Sequence, residues 1–300
     1  MEKKHLIIID SNSVIHRAYH ALPPLTTKKG ELINAIYGYL LVFLKIIKDF
    51  NPNYLVATFD LPGPTFRHEK FKEYKATRPK TAEGISEQIP KIKEILKKMN
   101  VSIFEKQGFE ADDIIGTIAK QTANFSKEEK IETIIISGDL DILQLVNDKT
   151  KVFHLRKGVK DTVLYDENLV KEKYQGLTPQ QLIDFKSLRG DPSDNIPGIR
   201  GIGEKIAKSL ILKFNSLKNL YKEIEENSEK AKTIKLKLKD LLVKNKDQAF
   251  LSKELVLIEK NVPIDFNLNN CQWKKLDKEK TKEIFEKFEF YSLIKRLSEI

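Results

Sequence analysis

The residues in this 300-residue chain best suited to chemistry are carboxylates, and they recur at one kind of place. Asp10 follows Leu-Ile-Ile-Ile, Asp60 follows Val-Ala-Thr-Phe, and Asp139 follows Ile-Ser-Gly with Asp141 two residues later. Glu110, Asp112 and Asp113 open the stretch Glu-Ala-Asp-Asp-Ile-Ile-Gly, and Asp191 and Asp194 lie in Arg-Gly-Asp-Pro-Ser-Asp-Asn. Taken singly, an aspartate after a strand caps a turn, and acids at a helix start complement its dipole. Taken together they demand more. Two carboxylates ~4 Å apart repel by about 4 kcal/mol at an effective dielectric of 20, so several on one edge require cations between them. Oxygen-only donors select hard ions, Mg²⁺ or Mn²⁺, and the lack of a Cys or His cluster argues against zinc. Two such ions about 3.5–4 Å apart activate a water and stabilise the leaving oxygen of a phosphodiester.

Those acids need a scaffold that brings them to one edge. Leu6 to Ile9, Tyr54 to Phe59 and Thr133 to Ile136 are short apolar runs bounded by turn formers, and they read as buried strands. Helical patterns over Leu32 to Phe50 and Ile85 to Met99 separate them, which predicts an α/β fold: a mostly parallel sheet flanked by helices, spanning residues 1–175. The carboxyl ends of parallel strands share one edge, where ligands of open α/β folds bind. After Thr178 the strand signal fades. Helical stretches from Pro179 to Leu188, Gly203 to Phe214, Leu217 to Glu225 and Lys232 to Lys244 predict a second, helical region over 176–265. Residues 266–300 contain a helical pattern from Lys278 to Leu297 that returns to the core.

A net charge of +10 favours a polyanionic partner. Arg67, Lys70, Lys72, Lys75, Arg78 and Lys80 alternate with Phe66, Phe71 and Tyr74, a mixture of phosphate contacts and stacking faces suited to a single strand, or to an amphipathic surface helix. Gly198, Gly201 and Gly203 run into a helix carrying Lys205 and Lys208. Their spacing reverses the dinucleotide fingerprint, yet amides at a helix N-terminus can take a duplex phosphate. Cys271 is the single cysteine, so an intrachain disulfide is excluded and a reducing cytoplasm fits best. The longest apolar run, Ile36 to Leu44, falls short of a membrane span, and no signal-peptide core is present.

Phe59-Asp60, Phe66-Arg67-His68-Glu69, Tyr74-Lys75, Glu110-Ala-Asp-Asp113, Ser137-Gly-Asp-Leu-Asp141, Gly190-Asp-Pro-Ser-Asp-Asn-Ile-Pro-Gly198 and Gly201-Ile-Gly-Glu-Lys205 occur in that order. With Asn245-Lys-Asp-Gln-Ala249 and Leu251-Ser-Lys, they resemble the 5′ nuclease domain of bacterial DNA polymerase I, a family related to the flap endonucleases. The resemblance implies a PIN-like core, a helical arch over about 62–98, and a helix-hairpin-helix type element that grips duplex DNA. It implies a first metal site at Asp10, Asp60, Glu110 and Asp112 and a second at Asp139, Asp141 and Asp191, with Asp113 and Asp194 acting through water. It also implies catalytic roles for Lys75 and Arg78, DNA contacts at Arg67, Tyr74, Gly198, Gly201, Gly203, Lys205 and Lys208, and K⁺ at the hairpin. Ser11, Leu140 and His16 depart from the common pattern, where glycine, lysine and Phe or Tyr are frequent.

The function so implied is a structure-specific 5′-3′ exonuclease and flap endonuclease using two Mg²⁺ ions, with Mn²⁺ as a substitute. It would remove RNA primers and 5′ flaps from branched or nicked DNA and RNA–DNA junctions, as a cytoplasmic monomer coupled to a DNA polymerase. The chain is read either as free-standing or as the N-terminal part of a longer polymerase. A non-catalytic protein that binds branched DNA through a degenerate core is the competing reading, and the intact acid set argues against it.

Overall fold

The computed structural model describes residues 3–79, 81–125, 130–158 and 161–299, so Lys80 of the basic run lies outside the described residues. Six strands, β1 (Lys4–Asp10), β2 (Tyr54–Thr58), β3 (Ser102–Phe104), β4 (Ile131–Ser137), β5 (Thr150–Lys157) and β6 (Asp161–Tyr165), form one sheet in the order β3-β2-β1-β4-β5-β6. All neighbours are parallel except β5 and β6. Helices α1 (Ser11–Ala21) and α2 (Asn34–Phe50) follow β1. After β2 come α3 (Phe66–Lys70), α4 (Glu83–Ser86) and α5 (Gln88–Lys98), and α6 (Ala111–Phe125) joins β3 to β4. Beyond the sheet lie α7 (Glu167–Lys173), α8 (Gln181–Arg189), α9 (Glu204–Phe214), α10 (Leu217–Glu225), α11 (Glu229–Lys232), α12 (Leu236–Lys244), α13 (Lys246–Val256), α14 (Lys278–Lys287) and α15 (Tyr291–Leu297).

Alternation along the strands divides the core into two layers. Ile7, Ile9, Leu55, Ala57, Ile134 and Ile136 face residues of α1, α2, α5, α14 and α15, whereas Leu6, Ile8, Val56, Ile135 and Val152 face α6 and the helices after residue 176. Covered on both faces, β1 is apolar without interruption from Leu6 to Ile9. Each fully buried isoleucine is worth roughly 1.5–3 kcal/mol, and a one-residue slip would exchange the two faces. That burial fixes the register, with Ile9 between Ala57 and Ile136, and so fixes Asp10 at the carboxyl edge.

The strands predicted from apolar runs appear as β1, β2 and β4. The tail predicted as one helix is divided into α14 and α15, because Glu289 takes a left-handed φ of 57°. The predicted helix over 232–244 is likewise interrupted, at the extended Lys235. The segment between β2 and α5 crosses above the carboxyl edge as short helices joined by turns, with only Phe66–Lys70 helical before residue 80.

Candidate active site

Above the carboxyl edge, where the chain order reverses between β1 and β4, lies an open cavity of about 820 Å³. Asp10, Asp60, Glu110, Asp112, Asp139, Asp141 and Asp194 line it, with Lys75 and Arg78 on the crossing segment. Local structure aims each acid. Asp10 ends β1 and caps α1, accepting from the Ser13 amide at 3.2 Å and from the Ser137 hydroxyl of β4 at 2.6 Å. Asp60 accepts from the Ala111 amide at 2.7 Å, which joins the end of β2 to the start of α6, and its own amide donates to Asn12 Oδ1. The Asp139 carboxylate accepts from the Asp141 amide at 2.8 Å, so these two acids are held by one turn.

Two expected ligands stand apart from the cavity. Asp113 is fully buried and makes a bidentate pair with Arg67, Nη1 to Oδ2 at 2.8 Å and Nη2 to Oδ1 at 2.7 Å, while also accepting from the amides of Glu110 and Glu259. Those partners occupy its lone pairs, which corrects the expectation of a metal role. Arg67 is corrected with it: Nε and Nη2 also donate to the carbonyls of Leu255 and Leu257, so the guanidinium ties α3 to α6 and to the chain after α13. Tyr74 is buried among Ile196, Leu255 and Val256, and its hydroxyl donates to Glu110 at 3.1 Å and Asp194 at 3.2 Å. It therefore offers no stacking face to a strand. Asp191, the second acid outside the cavity lining, accepts from the Ser193 amide and hydroxyl and from Lys186 Nζ at 2.7 Å.

Besides Arg67, whose Nη1 lies 3.6 Å from Glu110, three cations reach among the acids. Lys75 adopts a left-handed φ of 55°, held by its amide on the Asp194 carbonyl at 2.9 Å, and its ammonium meets Glu110 at 2.7 Å. Arg78 pairs with Asp194, and Lys186 of α8 bridges Asp191 and Asp141. Sequence reasoning missed Lys186. Its signal was a lysine among Leu182, Ile183, Phe185 and Leu188, an expensive place for an ammonium unless acids are near.

At Asp10, Asp112 and Asp141 burial and mutual repulsion outweigh the compensation available. Burial, then the nearby Asp60 and Asp139, pushes Asp10 up to about 7 against the Ser137 and Ser13 hydrogen bonds. Burial and the Asp10, Asp139 and Glu110 charges raise Asp112 well above the ordinary carboxylate value, and burial with Asp139 takes Asp141 to about 6. At Glu110 burial acts upward, but Lys75 and Arg67 outweigh it and hold the carboxyl below its usual value. Among the described residues no three His, Cys, Asp or Glu side chains close around a single point as a finished cage. The donor set still fits a hard divalent cation: oxygen only, desolvated, and, among the described residues, without a cation within ion-pair distance at Asp10 and Asp112.

The glycine-rich segment lies in the helical region. A Cβ on Gly198 (φ 56°) would fall 2.1 Å from the Gly190 amide nitrogen, so the loop carrying Asp191 and Asp194 closes only with glycine there. The Gly198 amide donates to Ser252 Oγ at 3.1 Å and is not free for phosphate. Gly201 and Gly203 are exposed at the entry to α9, as is Lys205, while Lys208 donates to Gln175. His16 lines the cavity beside His20, and Ser11 is buried with its hydroxyl against Tyr39 at 3.0 Å.

Two family models cover this chain: "5'-3' exonuclease, N-terminal resolvase-like domain" over residues 5–175 and "5'-3' exonuclease, C-terminal SAM fold" over residues 177–279. DNA polymerase I of Bacillus subtilis (strain 168) is 43% identical over 298 residues, 99% of this chain and 33% of that protein. The chain thus spans about a third of the length of the curated relatives it matches. A zinc-bound T5 5′-exonuclease superposes with a TM-score of 0.67 at 22% identity, covering 94% of this chain and 99% of the other. A T5 D15 flap endonuclease in a pseudo-enzyme-product complex with DNA and metal ions gives 0.66 at 22% identity, covering 95% and 100%. At that identity the likeness establishes the fold: a mostly parallel sheet flanked by helices, followed by a helical region. No helix among the described residues is long and apolar enough to cross a membrane.

Proposed function

The chain belongs to the 5′-3′ exonuclease family, and from that premise we propose that its cavity hydrolyses phosphodiester bonds at 5′ ends and 5′ flaps of branched or nicked DNA. The observation that carries this is the gathering of seven carboxylates at the reversal point of a sheet, beneath Lys75 and Arg78, in a protein of net charge +10. Asp10, Asp60, Glu110 and Asp112 would hold one Mg²⁺, and Asp139, Asp141 and Asp191 a second, Mn²⁺ being able to substitute. Held there, the ions supply a water of lowered pKa and neutralise charge at the leaving oxygen.

The chain's own residues set the geometry. Ser137 and the Ser13 amide orient Asp10, the Ala111 amide orients Asp60, and Tyr74 orients Glu110 and Asp194. Lys75 and Arg78 exchange their carboxylates for oxygens of the incoming phosphate, placing positive charge where negative charge develops. Asp194 is a positioning residue, since its side chain holds Arg78 and its carbonyl holds Lys75. The exposed turn before α9, with Lys205, contacts the duplex backbone, with K⁺ on its carbonyls. RNA primers on RNA–DNA junctions are the second substrate class, and the protein acts in the cytoplasm as a monomer coupled to a DNA polymerase.

The test is a 5′-labelled flap duplex incubated with protein and Mg²⁺. Cleavage near the junction is expected, with loss in EDTA and a fall of at least about 100-fold for Asp139→Asn while flap binding survives. Binding without cleavage in Mg²⁺ or Mn²⁺ would instead identify a non-catalytic DNA-binding protein.

A further inference from the structure

Lys186 stands between two acids proposed to share a divalent ion. Its Nζ lies 2.7 Å from Asp191 Oδ2 and also contacts Asp141 Oδ1, with the side chain only 14% exposed. The acids come from unlike places, Asp141 from the turn after β4 and Asp191 from the glycine-closed loop after α8. Apart from Lys186 no cation among the described residues pairs with either. The lysine is delivered by a helix without an exposed residue, packed against α13 and α9, so its stem has little room to withdraw. An Mg²⁺–oxygen bond is about 2.0–2.1 Å long, and an ammonium within hydrogen-bond distance of both oxygens occupies the space such an ion would take.

We propose that Lys186 is a resident counter-ion of the Asp141–Asp191 pair that holds these acids together in the metal-free protein and competes with the second divalent ion for them. The inference rests on the metal-site reading of Asp141 and Asp191 given above. Its consequence is that the two ions bind with unequal affinity: of the acids at the Asp10 end Lys75 touches Glu110 alone, whereas at the Asp141 end the ion must displace a lysine that bridges both acids. The chain trades affinity at the second position for a site that stays assembled without metal.

The test is Mn²⁺ titration of the metal-free full chain without DNA, following free Mn²⁺ by electron paramagnetic resonance. In Lys186→Met the weaker site should tighten tenfold or more, the stronger site should change by less than threefold, and the thermal midpoint in EDTA should fall. An unchanged or weakened second site in Lys186→Met overturns the proposal, since a lysine that merely packed or oriented the acids would give that result. If Lys186→Met does not fold, Lys186→Arg is the arbiter: a retained charge should leave the second site as weak as in the parent or weaker, and tightening would overturn the idea. Asp141→Asn separates the two levels of inference. Loss of only the weaker site upholds the metal reading, whereas an identical isotherm in parent and Asp141→Asn removes the second metal site and this proposal with it, whatever flap cleavage shows.

Discussion

A buried carboxylate keeps its charge by finding a cation or hydrogen-bond donors, and failing those it takes a proton. Asp191 has an ammonium and Ser193 and is held below its ordinary value, whereas Asp112 is left to rise. Histidine obeys the same rule with the sign reversed. His154 in β5 is 5% exposed, its Nδ1 has no hydrogen bond, and burial, followed by Arg17 and Lys173, takes it from 6.5 down to about 4. The unfolded chain protonates this ring near pH 6.5, whereas the folded one resists until about pH 4. The associated stability is therefore complete above pH 6.5 and is lost as pH falls toward 4, at up to roughly 1.4 kcal/mol per pH unit. His154→Gln should show a shallower loss of urea-unfolding free energy between pH 7 and 4.5 than the parent. Parallel losses would show that the ring takes its proton in the folded state at its ordinary pH.

At the scale of elements, β1, β2, β4 and α10 are legible in the sequence because each carries its own period or unbroken apolar run. Their carboxyl-end acids are legible for the same reason, since a parallel strand ending in Asp can point it only to one edge. The short β3 and the hairpin of β5 and β6 are not, because Thr150–Lys157 mixes lysine, histidine and arginine into a strand that the sheet covers. Direction in the crossing segment is equally hidden. Whether Arg67 and Tyr74 turn toward DNA or inward depends on Asp113, Asp194 and the carbonyls after α13, far away in the chain. Breaking that link has a predictable cost. Arg67→Met removes the guanidinium that pairs with Asp113 in the core, so chemical denaturation should show a loss of about 3–5 kcal/mol, and Asp113→Leu added to it should restore a large part. A loss below about 1 kcal/mol in the single variant would mean that the pair does not fasten α3 to α6.

For the molecule as a whole, a net charge of +10 accompanies a cavity lined by carboxylates, so a polyanion is attracted by the protein's overall charge but repelled at the cavity until cations are present there. Lys205, exposed at the first turn of α9, belongs to the outer field. Lys205→Ala should weaken branched-duplex binding and make the log–log salt dependence shallower by about 0.9, measured in EDTA so that cleavage does not interfere. An unchanged slope would place the duplex elsewhere.

The closure of the sheet by the far end of the chain has a further consequence. Ile284, Phe285, Phe288, Leu293 and Leu297 cover the layer that includes α2, with Ser292 against Tyr37 at 2.9 Å and Glu299 paired to Lys48. A ribosome makes α2 first and these residues more than 230 positions later. At roughly 5–20 residues per second, the flank of α2 stays uncovered for on the order of ten seconds or longer. During every round of synthesis the nascent nuclease fold therefore carries an open apolar face, a window in which chaperones, or neighbouring chains on the same message, reach it before α14 and α15 do.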